Sequence, residues 1–157
     1  MTLVVEPEAR ATTLVPFRFA PGVREGLARF QGRCTVVRLA TVDNDALGVP
    51  RWYTLGEAWA EPGSAAASRW SGNPVVMVGP GDDPELVLAT ATPVVVVGAD
   101  NAANRWARRV VDAVRATCRS VLVVDMGSHP EPSYADIATF GHDRAHGAAL
   151  LALLTTA

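Results

Sequence analysis

Acidic, amide and histidine residues follow three apolar runs of the chain, and these residue types could do chemistry. Asp82 follows the run Val75–Val78, Asp100 and Asn101 follow Val94–Val97, and Asp125 and His129 follow Val121–Val124. Carboxylate, amide and imidazole groups at such positions could bind a metal ion or a sugar hydroxyl. Acidic and amide residues just before a helix are, however, more often helix caps, and we favour capping here. The candidate site is therefore a rim formed by Asp82, Asp100, Asn101, Asp125 and His129.

Two further patterns look like catalytic or metal-binding motifs, but their spacing is against them. Asp125, Ser128 and His129 have the residue types of a hydrolytic triad, yet they are too close in sequence, and no G-x-S-x-G motif is present. His142 and His146 have an i, i+4 spacing without the glutamate of a zinc-protease helix. We interpret them as a solvated helix face, and we expect no metal, no cofactor and no catalytic residue.

The elements that would position the rim centre on one βαβ unit, from Pro93 to Gly127. Four consecutive valines, Val94–Val97, predict a strand buried on both faces, and Val121–Val124 predicts another. Between them, Ala102–Thr117 predicts a helix whose inner stripe holds Trp106, Val110, Val114 and Thr117. Two strands joined by a helix must lie parallel, so the carboxyl ends of both strands, with their polar residues, should meet at one edge of the sheet.

The remaining segments extend this unit to a parallel sheet of five or six strands. We predict further strands at Thr2–Glu6 and Thr35–Leu39 and within Tyr134–Phe140, and an irregular loop over Pro7–Phe19. The run Val75–Val78 predicts another parallel strand that is buried on both faces. The predicted helices are Pro21–Phe30, with Val23, Leu27 and Phe30 inward, Gly63–Trp70, Pro84–Leu88, and Asp143–Leu154, with Ala145, Ala149, Ala152 and Leu153 on one face. The fold class is thus α/β, a three-layer sandwich of the flavodoxin-like type with helices on both faces, forming a single domain over residues 1–157.

Composition excludes several classes of function. The chain has 157 residues, a formal charge of −2 and a pI near 5.9, which gives no electrostatic reason to bind nucleic acid or an anionic membrane. Its 14 basic residues are all arginine, which excludes a lysine Schiff base and a P-loop lysine. Cys34 and Cys118 are expected to be buried free thiols. Without a signal peptide or a membrane-length apolar run, the expected location is the cytoplasm.

Aromatic residues concentrate in one segment, Arg51–Asn73, which holds Trp52, Tyr53, Trp59 and Trp70. Such rings stack on sugars, and they also anchor protein interfaces or fill cores. We favour an interface or a core over direct sugar binding. The corresponding prediction is that at least two of the four rings are exposed or are buried against a second copy of the chain, so that a homo-oligomer is possible.

Several segments resemble a known family. The run Val121–Gly127, then Ile-Ala-Thr-Phe-Gly-x-x-Arg-Ala from Ile137 to Ala145, then an alanine- and leucine-rich helix resemble the C-terminal domain of family 3 glycoside hydrolases, in the bacterial β-N-acetylhexosaminidase branch. Leu3–Glu6 and Pro93–Asp100 resemble further strands of that domain. The family usually has tyrosine in place of Phe140 and small residues in place of His142 and Asp143.

The resemblance implies an accessory role. In that branch the nucleophilic aspartate and the Asp–His acid/base pair belong to an N-terminal barrel, in a loop that contains lysine, whereas this chain has no lysine and no such loop. The resemblance therefore implies a non-catalytic α/β domain whose partner is a catalytic barrel, on the same or a separate polypeptide. The alternative is a stand-alone flavodoxin-like module that binds a small ligand or regulates at the strand-end rim. A third, weaker hypothesis is an enzyme with Asp100 and Asp125 as its acid/base pair.

Overall fold

The computed structural model describes residues 17–41, 72–83, 92–141 and 144–155. The strands are β1 Arg18–Phe19, β2 Thr35–Leu39, β3 Val75–Val78, β4 Val94–Gly98, β5 Val121–Asp125 and β6 Ile137–Ala138. The α-helices are α1 Val23–Gly26, α2 Arg105–Thr117 and α3 Arg144–Thr155. Short 3₁₀ helices span Leu27–Phe30, Asn101–Ala103 and Pro132–Tyr134.

These six strands form one mixed, mostly parallel sheet with the order β1-β6-β5-β4-β2-β3. Strands β2 to β6 pair in parallel, and β1 pairs with β6 in the antiparallel direction. The predicted βαβ unit is confirmed, because β4 and β5 are parallel neighbours joined through α2, with Val94 opposite Val121 and Gly98 opposite Asp125. The coarse fold class is therefore α/β, and the carboxyl ends of β4 and β5 lie side by side.

The valine runs form strands because both faces of the central sheet are buried. All five residues of β2 and of β4 are buried. Alternate side chains of β4 point to opposite faces: Val95 and Val97 belong to one apolar cluster, and Val94 and Val96 to the other. The first cluster includes the Leu27–Phe30 helix and α3, and the second includes α2. This two-sided burial is why the runs contain consecutive β-branched residues instead of an alternating pattern.

The edge strand β3 corrects one prediction. The run Val75–Val78 does form a parallel strand beside β2, but Val75 is 50% exposed and Met77 is 58% exposed. Only Val78 is buried in this strand. Within the described residues β3 has a single neighbouring strand, so one face contacts the α2 cluster while Val75 and Met77 lie on the other. The prediction of a strand buried on both faces is wrong here.

Helix α2 confirms most of the predicted stripe. A 3₁₀ turn at Asn101–Ala103 precedes the α-helix, which begins at Arg105. Val110 and Val114 are buried as predicted and Trp106 is half-buried, but Thr117 is exposed because it lies in the last turn. Val111 is buried although it was not part of the predicted stripe.

Corrections at the two ends of the chain are local. The predicted helix Pro21–Phe30 is instead the single α-turn of α1 followed by a 3₁₀ helix, in which Leu27 and Phe30 are buried. Part of the predicted irregular loop Pro7–Phe19 is a strand, because β1 pairs with β6. The predicted strand within Tyr134–Phe140 is confirmed as β6.

Helix α3 packs on the core mainly through leucines that the predicted face did not include. Its bounds agree with the prediction to within one residue at each end. Leu150, Leu151 and Leu154 are buried in the core and the predicted Leu153 packs against it, whereas Ala152 is exposed. Leucine side chains therefore form most of the buried face of the helix.

Some predictions lie outside the described residues. These are the strand at Thr2–Glu6, the helices at Gly63–Trp70 and Pro84–Leu88, and the interface residues Trp52, Tyr53, Trp59 and Trp70. Among the helices that the structure describes, none has the length and apolar character needed to span a membrane.

Candidate functional site

The rim at the carboxyl ends of β4 and β5 is built by two loops that exchange hydrogen bonds. Gly98 and Asp125 are the last residues of the two strands and lie opposite each other. The loop after β4 holds Asp100 and Asn101, and the loop after β5 holds Gly127 and His129. We call Asp100, Asn101, Asp125, Gly127 and the backbone of His129 the strand-end network.

Asp125 is the centre of the strand-end network. It is fully buried, and its carboxylate accepts three backbone N–H groups. Oδ1 accepts from Asp100 at 2.7 Å and from Gly127 at 2.8 Å, and Oδ2 accepts from Asn101 at 2.9 Å. Both oxygens are thus engaged with the backbone, so the side chain fixes the geometry of the two loops.

The electrostatics of Asp125 reflect its burial. Desolvation raises the pKa of this carboxyl above its ordinary value, and the negative charge of Asp100 raises it further. The hydrogen bonds from Gly127, Asn101 and Asp100 act in the opposite direction and lower the pKa. The net direction is upward, because loss of hydration outweighs the three backbone dipoles.

Asp100 completes the exchange from the opposite loop. Its Oδ1 accepts the backbone N–H of His129 at 2.7 Å. Its backbone lies in the left-handed region, with φ of 51°, which aspartate tolerates better than most residues. Gly127 must be glycine at this point, because a Cβ atom there would lie 2.3 Å from both the N and the Oδ1 of Asp100.

Asn101 is a fully buried member of the strand-end network. Its Nδ2 donates to the carbonyl oxygens of Val124 and Tyr134, each at 3.3 Å. Its Oδ1 has no hydrogen-bond partner in the described part of the chain. A Cβ atom on Gly98 would lie 2.2 Å from this Oδ1, so Gly98 provides the space that the amide occupies. Asn101 therefore ties the loop after β4 to β5 and to the loop that precedes β6.

The prediction that Asp100 caps the following helix is wrong. Asp100 makes no side-chain cap bond to the 3₁₀ turn that follows it, and neither does Asn104 at the start of α2. Instead, the carboxylate of Asp125 binds the free amides of the turn from the neighbouring strand. Asn104 donates its side-chain amide to the carbonyl of Asp100 at 3.3 Å.

Asp82 and His129 do not join the others as a catalytic group. Asp82 is exposed, and its Oδ2 accepts the N–H of Gly79 at 2.7 Å within one local turn. The Gly79–Gly81 segment is therefore part of a local turn. His129 contributes its backbone N–H, while the residue itself is exposed. The triad pattern fails because the carboxylate of Asp125 is occupied by backbone amides.

The predicted pair His142 and His146 lies only partly within the described residues, because His142 is outside them. His146 is half-buried, and its imidazole packs on Gly141, where a Cβ atom would lie 2.6 Å from Cε1. In the described ranges, no group of three or more His, Cys, Asp or Glu side chains is placed to hold a metal ion.

Phe140 is a feature that the sequence did not indicate. Its backbone is left-handed, with φ of 58°, and the residue is 46% exposed. The guanidinium of Arg18 lies over the ring, 5.4 Å from its centroid. The only sequence signal was the glycine that follows it, which also marks the close contact with His146.

No family model, curated protein or solved structure matches this chain.

Proposed function

We propose that the chain is a non-catalytic accessory domain, of the flavodoxin-like three-layer type, that supports the catalytic barrel of a β-N-acetylhexosaminidase-like glycoside hydrolase. The observation that carries this proposal is the state of Asp125, whose carboxylate is buried and accepts three backbone N–H groups. Glycoside hydrolysis needs one carboxyl group as an acid and another as a nucleophile or base, both facing the substrate.

The strand-end network supports the non-catalytic part of the proposal. Asp100 uses one carboxylate oxygen on the backbone of His129, and Asp125 uses both of its oxygens on backbone amides. A nucleophile that replaced those contacts with a sugar carbon would release three amides and open the two loops. The network is therefore better suited to rigidity than to turnover.

The resemblance supplies the family part of the proposal. The segments that resemble the C-terminal domain of family 3 glycoside hydrolases form β5, β6 and α3. β5 and β6 are paired, and side chains from all three belong to one apolar cluster. A resemblance carried by segments that pack together is more informative than one scattered over unrelated surfaces.

Exposed apolar side chains support an accessory role. Phe140, Val75 and Met77 are 46%, 50% and 58% exposed, respectively. Soluble monomers expose single apolar residues routinely, but a domain that packs against another domain must present some of them at its contact surface. Phe140 lies in the Ile137–Ala145 stretch of the resemblance, so we place the contact with the barrel around Phe140.

The test is association with a barrel protein encoded beside this chain, in the same reading frame or an adjacent one. The two proteins are co-expressed, and their complex is measured by analytical ultracentrifugation. We expect Phe140→Asn to weaken the complex, since asparagine tolerates the left-handed backbone while removing the ring. Ala116→Ser, on the exposed side of α2, is the matched control and should bind as the parent chain does. A parent chain that does not associate with the barrel contradicts the proposal.

A further inference from the structure

A cleft at the opposite edge of the sheet from the strand-end network has a volume of about 250 Å³. It lies at the amino end of β5, beside α1 and the residue that precedes β6. The residues that line it and matter to its chemistry are Gly22, Gly26, Arg29, Phe30, Arg119 and Asp136. We call this cavity the Arg29–Arg119 cleft.

The cleft is electropositive because its one acidic residue is already occupied. Asp136 accepts from Arg115 Nη2 at 3.2 Å through Oδ1, and from the backbone N–H of Val123 at 2.8 Å through Oδ2. The guanidiniums of Arg29 and Arg119, by contrast, have no hydrogen bond or ion pair with any described residue. Two positive charges therefore line the cavity without an anionic partner in the described part of the chain.

The shape of the cleft suits a small ligand. Cβ atoms built at Gly22 and Gly26 meet no atom within 4 Å, so backbone is exposed on one wall. Phe30 is buried and belongs to the apolar cluster beneath the cleft. The volume of the cleft, about 250 Å³, is close to the roughly 300 Å³ of the smallest typical small-molecule sites. The cavity can therefore hold a small molecule, and it is too small for a folded partner.

We propose that the Arg29–Arg119 cleft binds a small oxyanion, either a carboxylate or a phosphate ester. A guanidinium matches the planar or tetrahedral oxygens of these groups with two parallel N–H donors. The pairing Arg115–Asp136 leaves Arg29 and Arg119 as the cations available to such a ligand. This site is independent of the accessory-domain proposal, since neither the strand-end network nor Phe140 contributes to it.

The experiment is an NMR titration of the full chain with inorganic phosphate and, separately, with sodium acetate, using sodium chloride at equal ionic strength as the blank. We expect saturable shifts of the amides of Gly22, Gly26 and Ser120, with half-saturation on the order of 1 mM for the preferred anion. A response to phosphate alone identifies phosphate esters as the ligand class, and a response to acetate alone identifies carboxylates.

Three variants locate the binding. Arg29→Gln combined with Arg119→Gln should weaken binding at least about tenfold, because hydrogen bonds to charged groups are lost. Arg105→Gln combined with Arg109→Gln removes the same charge from exposed positions on α2 and should leave binding unchanged. Gly26→Leu keeps every charge but places a side chain in the cleft, so it should also abolish binding.

Several results would overturn the inference. These are the absence of saturable shifts with both anions, equal binding by the Arg29 and Arg119 double variant, and equal weakening by the α2 control pair. Unchanged binding by Gly26→Leu would also overturn it, since the anion would then lie outside the cleft.

Discussion

Replacing Asp125 with alanine should destabilise the fold far more than the loss of one ordinary surface carboxylate. The substitution leaves three backbone N–H groups without their acceptor, those of Asp100, Asn101 and Gly127. A hydrogen bond to a charged group contributes about 1.5 kcal/mol at the low end, so three of them contribute roughly 4.5 kcal/mol. Alanine also removes the free-energy cost of burying the Asp125 carboxylate, the same desolvation that raises its pKa, and this offsets part of the loss. We therefore expect a net loss of about 3 kcal/mol in the free energy of unfolding.

The assay is equilibrium unfolding in urea, followed by far-ultraviolet circular dichroism. Asp82→Ala is the matched control, because Asp82 accepts a single N–H in an exposed turn. The control should leave the midpoint nearly unchanged. If both variants lose the same small amount of stability, the backbone amides of Asp100, Asn101 and Gly127 form hydrogen bonds to water in place of Asp125. The structural role given to Asp125 is then wrong.

Three further predictions concern the same core. Gly127→Ala should lower the free energy of unfolding in urea by about 1–3 kcal/mol, because the new Cβ would overlap Asp100. The control Gly81→Ala has no atom near its Cβ and should not be destabilised. Equal stability of the two variants would contradict the close contact at Gly127. The free energy of unfolding of the parent chain, measured relative to that of Asp125→Asn, should fall as the pH rises from about 4 through the raised pKa of Asp125. The reason is that the folded state holds the proton of Asp125 more tightly than the unfolded state does. A difference that rises with pH over this interval would refute the direction of the shift. Burial raises the pKa of Cys34 to about 11, so iodoacetamide at pH 8 should label the half-exposed Cys118 before Cys34. The order of labelling is measured by peptide mass spectrometry. Labelling of Cys34 as early as Cys118 would contradict the burial of Cys34.

The sequence was sufficient for the centre of the fold. Consecutive valines flanking a helix with a 3.6-residue stripe predicted β4 and β5 to within one residue and α2 to within three, and Thr35–Leu39 coincides with β2. The same pattern misled at Val75–Val78, because a run of β-branched residues does not indicate whether a strand lies in the centre or at the edge of a sheet. The pairing of β1 with β6 joins two-residue strands that are far apart in sequence, which no local pattern indicates.

The sequence predicted which residues lie at the strand-end site but not the hydrogen bonds between them. The position of Asp100, Asn101 and Asp125 just after buried strands predicted that they would meet. The sequence did not predict which group accepts which N–H, because Asp125 and Asp100 are separated by 25 positions. Gly98 and Gly127 were not singled out, although a glycine that ends a buried strand, or lies just after one, can signal a close approach of another group.

The most direct test of the accessory-domain account is turnover of an aryl N-acetyl-β-glucosaminide by the purified chain, alone and with a barrel protein of the kind proposed above. The account predicts no release of the aryl group above a buffer blank by the chain alone, and hydrolysis only when the barrel is present. Turnover by the chain alone that is abolished by Asp100→Asn or Asp125→Asn, with both variants still folded, would contradict the account and make the strand-end network a catalytic site.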